Sequence, residues 1–427
     1  MTGHPKPDDP DTTACIDWET GAWRRFPGKT PGAEIILTGD WAPIRAFSNT
    51  IEKKPPAIYG DLLPVLQNSD LRITNLECPL TGAGAPVDKS GAVLKGTPRH
   101  LAGLTAVPFD VVTLANNHVF DYGTAGFDET RSLLDAGGIR HVGAGATLAE
   151  AEKPLVVTVN GIRIGIINFS EGEDLTAAGP GAPGVLGWEI DRVVAHIAAI
   201  RQAVHAVIVI CHGGVEYIPC PPPYLADALK RIAESGADLI IGHHPHVPQG
   251  VEIHQGVPIC YSLGNFVFFQ PTDLFYRKIG YMVKAAVAEN GLAALTLIPY
   301  QITMQGLLRL TGPSLRRTLT LLDNLSAPLE TAGGIDAAWH GFLQFYGVAG
   351  FRAEIGRIMN RLEREPSRGA AMFRNRLTTR QHRHHLIDLM TRIMDGTLGD
   401  APAWAVAQAA GFFTRKVSDG FADPDKF

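Results

Sequence analysis

The sequence predicts an α/β fold with a helical C-terminal extension, on three observations. Short apolar runs rich in β-branched residues recur from Glu34 onward, each ending in a polar or Gly-containing corner. Stretches of helical period lie between several of them. Beyond Pro313 the strand-like runs cease, and apolar spacing turns helical, as at Leu386, Leu389, Met390, Ile393 and Met394.

Residues 1–30 are rich in Pro, Asp, Thr and Gly and read as a mobile arm. A domain over 31–312 carries the strands. The run 35–37 precedes Thr38-Gly39-Asp40, and 71–74 precedes Asn75-Leu76-Glu77. Next, 111–114 precedes Ala115-Asn116-Asn117-His118, 207–210 precedes Cys211-His212-Gly213-Gly214, and 239–241 precedes Gly242-His243-His244. Runs of this kind predict buried strands. Residues 224–235 have a helical period, with Gly236 placed to end the helix. Residues 313–427 form the expected helical extension.

With 427 residues, 45% of them hydrophobic and 19% charged, the chain is able to bury a sizeable core. A net charge of -5, from 38 basic and 43 acidic residues, argues against a nucleic-acid binder. The longest apolar runs, such as 206–210, fall far short of the ~20 residues of a membrane span. The opening MTGHPKPDDPDTTA lacks the basic and apolar regions of a signal peptide. Five cysteines without a CxxC pair fit a reducing compartment, so the expected location is cytoplasmic.

In open α/β sheets, ligands collect at the carboxyl ends of strands. Five such ends here carry Asp, Glu, Asn or His. His212 follows a strand, and His244-Pro245-His246 sets two imidazoles on a rigid corner. Asn116-Asn117-His118 with Asp121 adds an amide, an imidazole and a carboxylate. Together these are a donor set for a divalent metal. His141, His196, His205 and His254 stand outside the cluster and read as structural or solvated. His243 packs behind the ligand pair, and Glu216 either lines the pocket or forms a surface ion pair. Asn265 orients a substrate carboxylate or a ligand histidine, or else caps a turn.

Six motifs in order carry a resemblance: LTGDWAP (37–43), NLECPLT (75–81), LANNHVFDYG (114–123), CHGGVEY (211–217), IIGHHPHVPQGVE (240–252) and YSLGNFVF (261–268). They resemble the CapA-like capsule or poly-γ-glutamate synthesis family of the calcineurin-like metallophosphoesterase superfamily. The resemblance covers about residues 34–300 and implies a sandwich of two sheets flanked by helices. It also implies two metal sites bridged by a carboxylate. Glu77 matches the bridging position, which is normally Asp, and Asn117, His212 and His244 match the other protein ligands of one site. Asp40 and His246 match the second site, but Ala42 stands where the superfamily has a histidine. The expectation is therefore one well-bound divalent ion (Mn, Zn, Fe or Ca) and no organic cofactor, with Asp40 and His246 left as a hydrogen-bonded pair. His118 matches a general acid oriented by a carboxylate, here Asp121.

Two His/Asp pairs around a metal, His118–Asp121 and Asp40–His246, suit acid–base inversion of a Cα centre. A CapA-like chain of this kind resembles the lasso-peptide epimerases. The leading expectation is thus a metal-dependent isomerase that inverts the C-terminal residue of a ribosomally made precursor peptide. The alternatives are phosphoester hydrolysis, which calls for two metals, capsule or poly-γ-glutamate handling, and a binding protein with a structural metal. The nine arginines from Arg352 to Arg383 read as a solvated helix face, or as a guide for an acidic leader segment. His382-Arg383-His384-His385 lacks ligand spacing, and Trp339, Phe342, Phe345 and Tyr346 read as core.

Overall fold

Period-two alternation divides the apolar residues of each central strand between two cores. Ala33–Trp41 sends Ile35 and Leu37 into the core between the sheets and Ile36 to the outside. Ala206–His212 sends Ile208 and Ile210 inward and Val207, Val209 and Cys211 outward. Strands buried on both faces read as unbroken apolar runs, which is the pattern of this sequence.

In the computed structural model, which describes residues 15–25 and 32–420, two sheets face one another. The first has the order Ala22–Arg24, Gly291–Ile302, Ile279–Ala288, Ala33–Trp41, Leu71–Leu76, Val111–Thr113, Arg140–Val142, with Leu307–Arg309 added on Gly291–Ile302. The second has the order Val251–His254, Val257–Cys260, Leu239–His243, Ala206–His212, Ile162–Ser170, Leu155–Val159. Ala46–Lys53 and Gly123–Ala136 cover the first sheet through Phe47, Ile51, Phe127 and Leu134. Ile190–Ile200 and Pro223–Glu234 cover the second through Val193, Ile197, Leu225 and Leu229. This is the expected sandwich of two sheets flanked by helices.

Ala33–Trp41, Leu71–Leu76 and Val111–Thr113 are parallel neighbours, and so are Ile162–Ser170, Ala206–His212 and Leu239–His243. Each sheet therefore presents several carboxyl ends along one edge. The sandwich joins the two edges, with Asn75 Nδ2 3.2 Å from His212 Nδ1.

The arm expected over 1–30 needs correction. Ala22–Arg24 pairs antiparallel with Gly291–Ile302, and Ile16 and Trp23 are buried in the core between the sheets. A three-residue strand carries no periodic signal, so the composition of the segment misled. Residues 1–14 and 26–30 of that arm lie outside the described residues.

From Gly312 the chain is helical: Gly312–Glu330, Gly334–Arg364, Pro366–Thr378, Arg380–Met394 and Ala403–Thr414 are the main helices. Trp339, Phe342, Leu343, Leu389 and Ala409 share a core with Ile218 of the sandwich, which fastens the extension to it. Phe345 does not join that core and is 37% exposed. Arg361 and Arg368 pair with Glu365, and Arg376 pairs with Glu354. All five cysteines are free thiols. Among the described residues, no helix is long and apolar enough to cross a membrane.

Two outcomes follow from the packing. A Cβ on Gly39 would lie 2.0 Å from the Gly264 carbonyl oxygen, so Gly39→Ala forces backbone apart beside Asp40. Its expected cost is about 1–3 kcal/mol, read as a lower thermal midpoint. His385 is enclosed by Phe342 and Tyr346, and burial holds its pKa down at about 4. The unfolded chain takes up that proton near the ordinary value of 6.5, so stability that is full above 6.5 is lost as pH falls toward 4. His385→Leu is expected to flatten this part of the melting-temperature profile.

Candidate metal centre

The site grows from adjacent strand ends. Asp40 is fully buried, its Oδ1 accepting from Asn75 Nδ2 at 2.8 Å and lying 3.1 Å from His243 Nδ1. Its Oδ2 lies 3.4 Å from His246 Nδ1. Burial pushes the Asp40 carboxyl up, but His243 and His246 outweigh it and hold the group well below the usual carboxylate range. His243 thus faces Asp40, a contact that the sequence reading of a packing residue did not include.

Glu77 is fully buried, and neither of its carboxylate oxygens has a hydrogen-bond partner. Its Oε1 lies 3.5 Å from both His212 Nε2 and His246 Nε2. Burial, followed by the charge of Asp40, raises its pKa well above the usual range. His246 is pushed the other way: burial disfavours its charge, but Glu77 and Asp40 hold its pKa up at about 10. An unpartnered buried carboxylate costs several kcal/mol, and a cation set among these donors removes that cost.

The donor atoms of Glu77, His212 and His244 lie within 4.8 Å of one another, and so do those of Asp40, Glu77 and His246. Asn117 Oδ1 joins the first cluster, 3.0 Å from His212 Nε2. Buried His244 Nδ1 has no hydrogen-bond partner. Imidazole, carboxylate and amide donors in this arrangement fit a divalent metal. The two clusters share Glu77. The expected Asp40–His246 contact is present, yet both groups also stand with Glu77 as a ligand set. Ala42 is buried and adds no donor to that set.

Beside the clusters, His118 Nδ1 and Asp121 Oδ2 are 2.7 Å apart. Lys89 Nζ donates to Asp121 Oδ1 at 2.8 Å, and the Leu94 amide donates to Oδ2 at 2.6 Å. Burial opposes the Asp121 charge, but His118 and Lys89 hold its pKa below the usual range. A cavity of about 200 Å³ opens on His118 and His246, with Arg45, Glu216, Arg376 and His382 also in its wall. Glu216 therefore lines the pocket, its Oε1 3.8 Å from His246 Nε2. Asn265 is spent on a histidine: Oδ1 lies 2.9 Å from His246 Nδ1, and Nδ2 donates to the His246 carbonyl at 3.1 Å. That geometry orients His246, the role of orienting a ligand histidine.

The backbone is strained where the ligands turn. His244 and His246 adopt φ of 97° and 57°, which for non-glycine residues costs of order 1–3 kcal/mol each. The four histidines set aside have partners of their own, in Asp135, Glu152, the Arg163 amide and Glu234. The sequence reading missed Asn75, Lys89, Glu171, Glu173 and Gln381. Asn75 and Glu171 had a local signal, the first lying two residues before Glu77 on the same strand end and the second directly following Ile162–Ser170.

The Glu77 environment yields a test. Glu77→Gln keeps the shape and removes a costly buried charge, so chelator-treated protein is expected to melt higher than the parent. The further rise that Mn²⁺ or Zn²⁺ gives the parent is expected to vanish in the variant.

Residues 34–270 match the family described as bacterial capsule synthesis protein PGA_cap. The PGA biosynthesis protein CapA of Bacillus subtilis (strain 168) is 32% identical over 225 residues, covering 52% of this chain and 59% of that protein. The capsule biosynthesis protein CapA of Bacillus anthracis is 31% identical over 257 residues, covering 57% and 61%. The chain thus spans about three fifths of the length of these two relatives. A solved 5'-nucleotidase precursor from Thermus thermophilus is 15% identical with a TM-score of 0.40, covering 70% of this chain and 60% of that one. That likeness is too remote to bear on activity. The family match spans more than half of the sequence, and the chain belongs to the PGA_cap family of bacterial capsule synthesis proteins.

Proposed function

We propose that this chain is a metal-dependent hydrolase of phosphoesters that serves the production of an anionic capsule-type polymer. The observation that carries the reading is the pair of ligand clusters sharing Glu77, since a shared carboxylate is what a two-ion displacement site requires. Glu77, Asn117, His212 and His244 would hold one ion, and Asp40, Glu77 and His246 a second. Bound there, a divalent ion supplies Lewis acidity toward an anionic oxygen.

The chain's own groups handle the proton and the charge. His118 Nδ1 is committed to Asp121, so Nε2 is the atom that gives a proton to a leaving group. Lys89 steadies the dyad by holding both Asp121 and the Asn117 carbonyl. Arg45 and Arg376 in the cavity wall match an anionic substrate. The names of the Bacillus relatives support poly-γ-glutamate as the first polymer to test.

The Asp40–His246 contact beside Ala42 favours a second reading, inversion of a Cα centre in a precursor peptide. There the two His/Asp pairs would act as base and acid on opposite faces. The full chain, loaded with Mn²⁺ or Zn²⁺, is assayed on p-nitrophenyl phosphate and bis(p-nitrophenyl) phosphate, on poly-γ-glutamate, and on peptides in heavy water. The expected result is chelator-sensitive nitrophenolate release, reduced roughly 10²- to 10⁴-fold by His118→Ala. No release from loaded protein, with deuterium entering one peptide Cα, would replace the hydrolytic reading by the second.

A further inference from the structure

Gln381 is the second residue of Arg380–Met394 and reaches the metal centre from the helical extension, outside the stretch that matches the family. It is 2% exposed, and its side-chain amide lies 3.3 Å from His244 Nε2. One amide orientation satisfies both of its ends: Oε1 accepts from His244 Nε2, and the nitrogen donates to Glu171 Oε2 at 3.2 Å and to the Gly214 carbonyl. Glu173 Oε2, at 3.9 Å from His244 Nε2, is too far to take that proton instead. A histidine that donates from Nε2 keeps a lone pair on Nδ1, the nitrogen left buried without a hydrogen-bond partner.

We infer that Gln381 is a positioning residue of the metal centre. By accepting the His244 Nε2 proton it fixes the tautomer and ring orientation that leave Nδ1 for a metal, so the helical extension completes a ligand set that the sandwich begins. Part of the anchoring does not use the side chain, because the Gln381 backbone amide also donates to Glu171 Oε2 at 3.1 Å. Glu171 is itself held by the Tyr224 hydroxyl at 2.6 Å and the Gly214 amide at 3.1 Å. Substituting the side chain therefore removes the acceptor and leaves that backbone contact in place. The inference rests on the reading of His244 as a metal ligand.

The test is a titration of the chelator-treated full chain with Mn²⁺ or Zn²⁺ in competition with a chromophoric chelator. It compares the parent, Gln381→Met, Gln381→Ala, His244→Ala and the Gln381→Met/His244→Ala double variant. Met keeps the volume and loses the acceptor. Its expected effect is about 10- to 100-fold weaker binding of one ion, the size typical of groups that orient a metal ligand. Gln381→Met and Gln381→Ala lose the amide's bonds to Glu171 Oε2 and the Gly214 carbonyl, so both are expected to melt lower without metal while keeping a cooperative transition, and Gln381→Met should add nothing to the affinity loss once His244 is gone. Parent-like affinity in Gln381→Met and Gln381→Ala, alongside a loss in His244→Ala, overturns the inference and leaves the metal centre standing. Equal binding by the parent and His244→Ala, or no binding by either, overturns the metal reading and this inference with it.

Discussion

Glu77 brings a carboxylate into the interior with no hydrogen bond to either oxygen, in contact with histidines from the opposite sheet. Most of the surrounding architecture is intelligible as a response to that one group. Asp40 adds a second buried carboxylate within the same cluster, which deepens the local negative charge. Without added positive charge, the two carboxylates must share protons with His246. A divalent ion would satisfy the oxygens and the imidazoles at once, and its binding free energy would then be part of the stability of the folded chain.

Bringing these groups within ligand distance requires the two sheets to meet at their carboxyl edges. Glycine makes the approach feasible at Gly39, where a Cβ would lie 2.0 Å from the Gly264 carbonyl oxygen, and within the second sheet a Cβ on Gly242 would lie 1.9 Å from the Tyr261 carbonyl oxygen. The chain also accepts positive φ at His244 and His246, a conformation that costs energy and would not persist without compensation. Pro245 limits the ways the corner can relax. Asn265 then locks His246 from both its ring and its carbonyl.

Doubly buried strands made the fold legible, because Ala206–His212 and Leu239–His243 leave no polar residue until the chain reaches a corner. The polar residues at those corners therefore stood out as a site. Local pattern fails where the partner is far along the chain: Gln381 meets His244 across 137 residues, and Lys89 comes from a segment with no regular structure. It fails again at His243-His244. Period two turns adjacent side chains to opposite sides, but the sequence does not say which side holds Asp40. The strand Ala22–Arg24 was hidden for a different reason, since three residues are too few to show alternation.

The extension belongs to the site as much as to the helical core that anchors it. Asn375 donates to Ser90 Oγ at 2.7 Å and to Glu173 Oε1 at 2.8 Å, and His382 Nε2 lies 3.3 Å from that same oxygen. Glu173 in turn accepts from Asn117 Nδ2 at 3.0 Å, so the helices hold a carboxylate that holds a candidate ligand. Burial opposes the Glu173 charge, but His382 and His244 outweigh it and keep the group well below the usual range. The charge is therefore a fixed feature that both halves of the chain share. Arg376 and His382 also form part of the cavity wall beside His118 and His246. The cavity wall and the contacts to the candidate ligands thus draw on the same helices, and a change in how those helices dock alters both together.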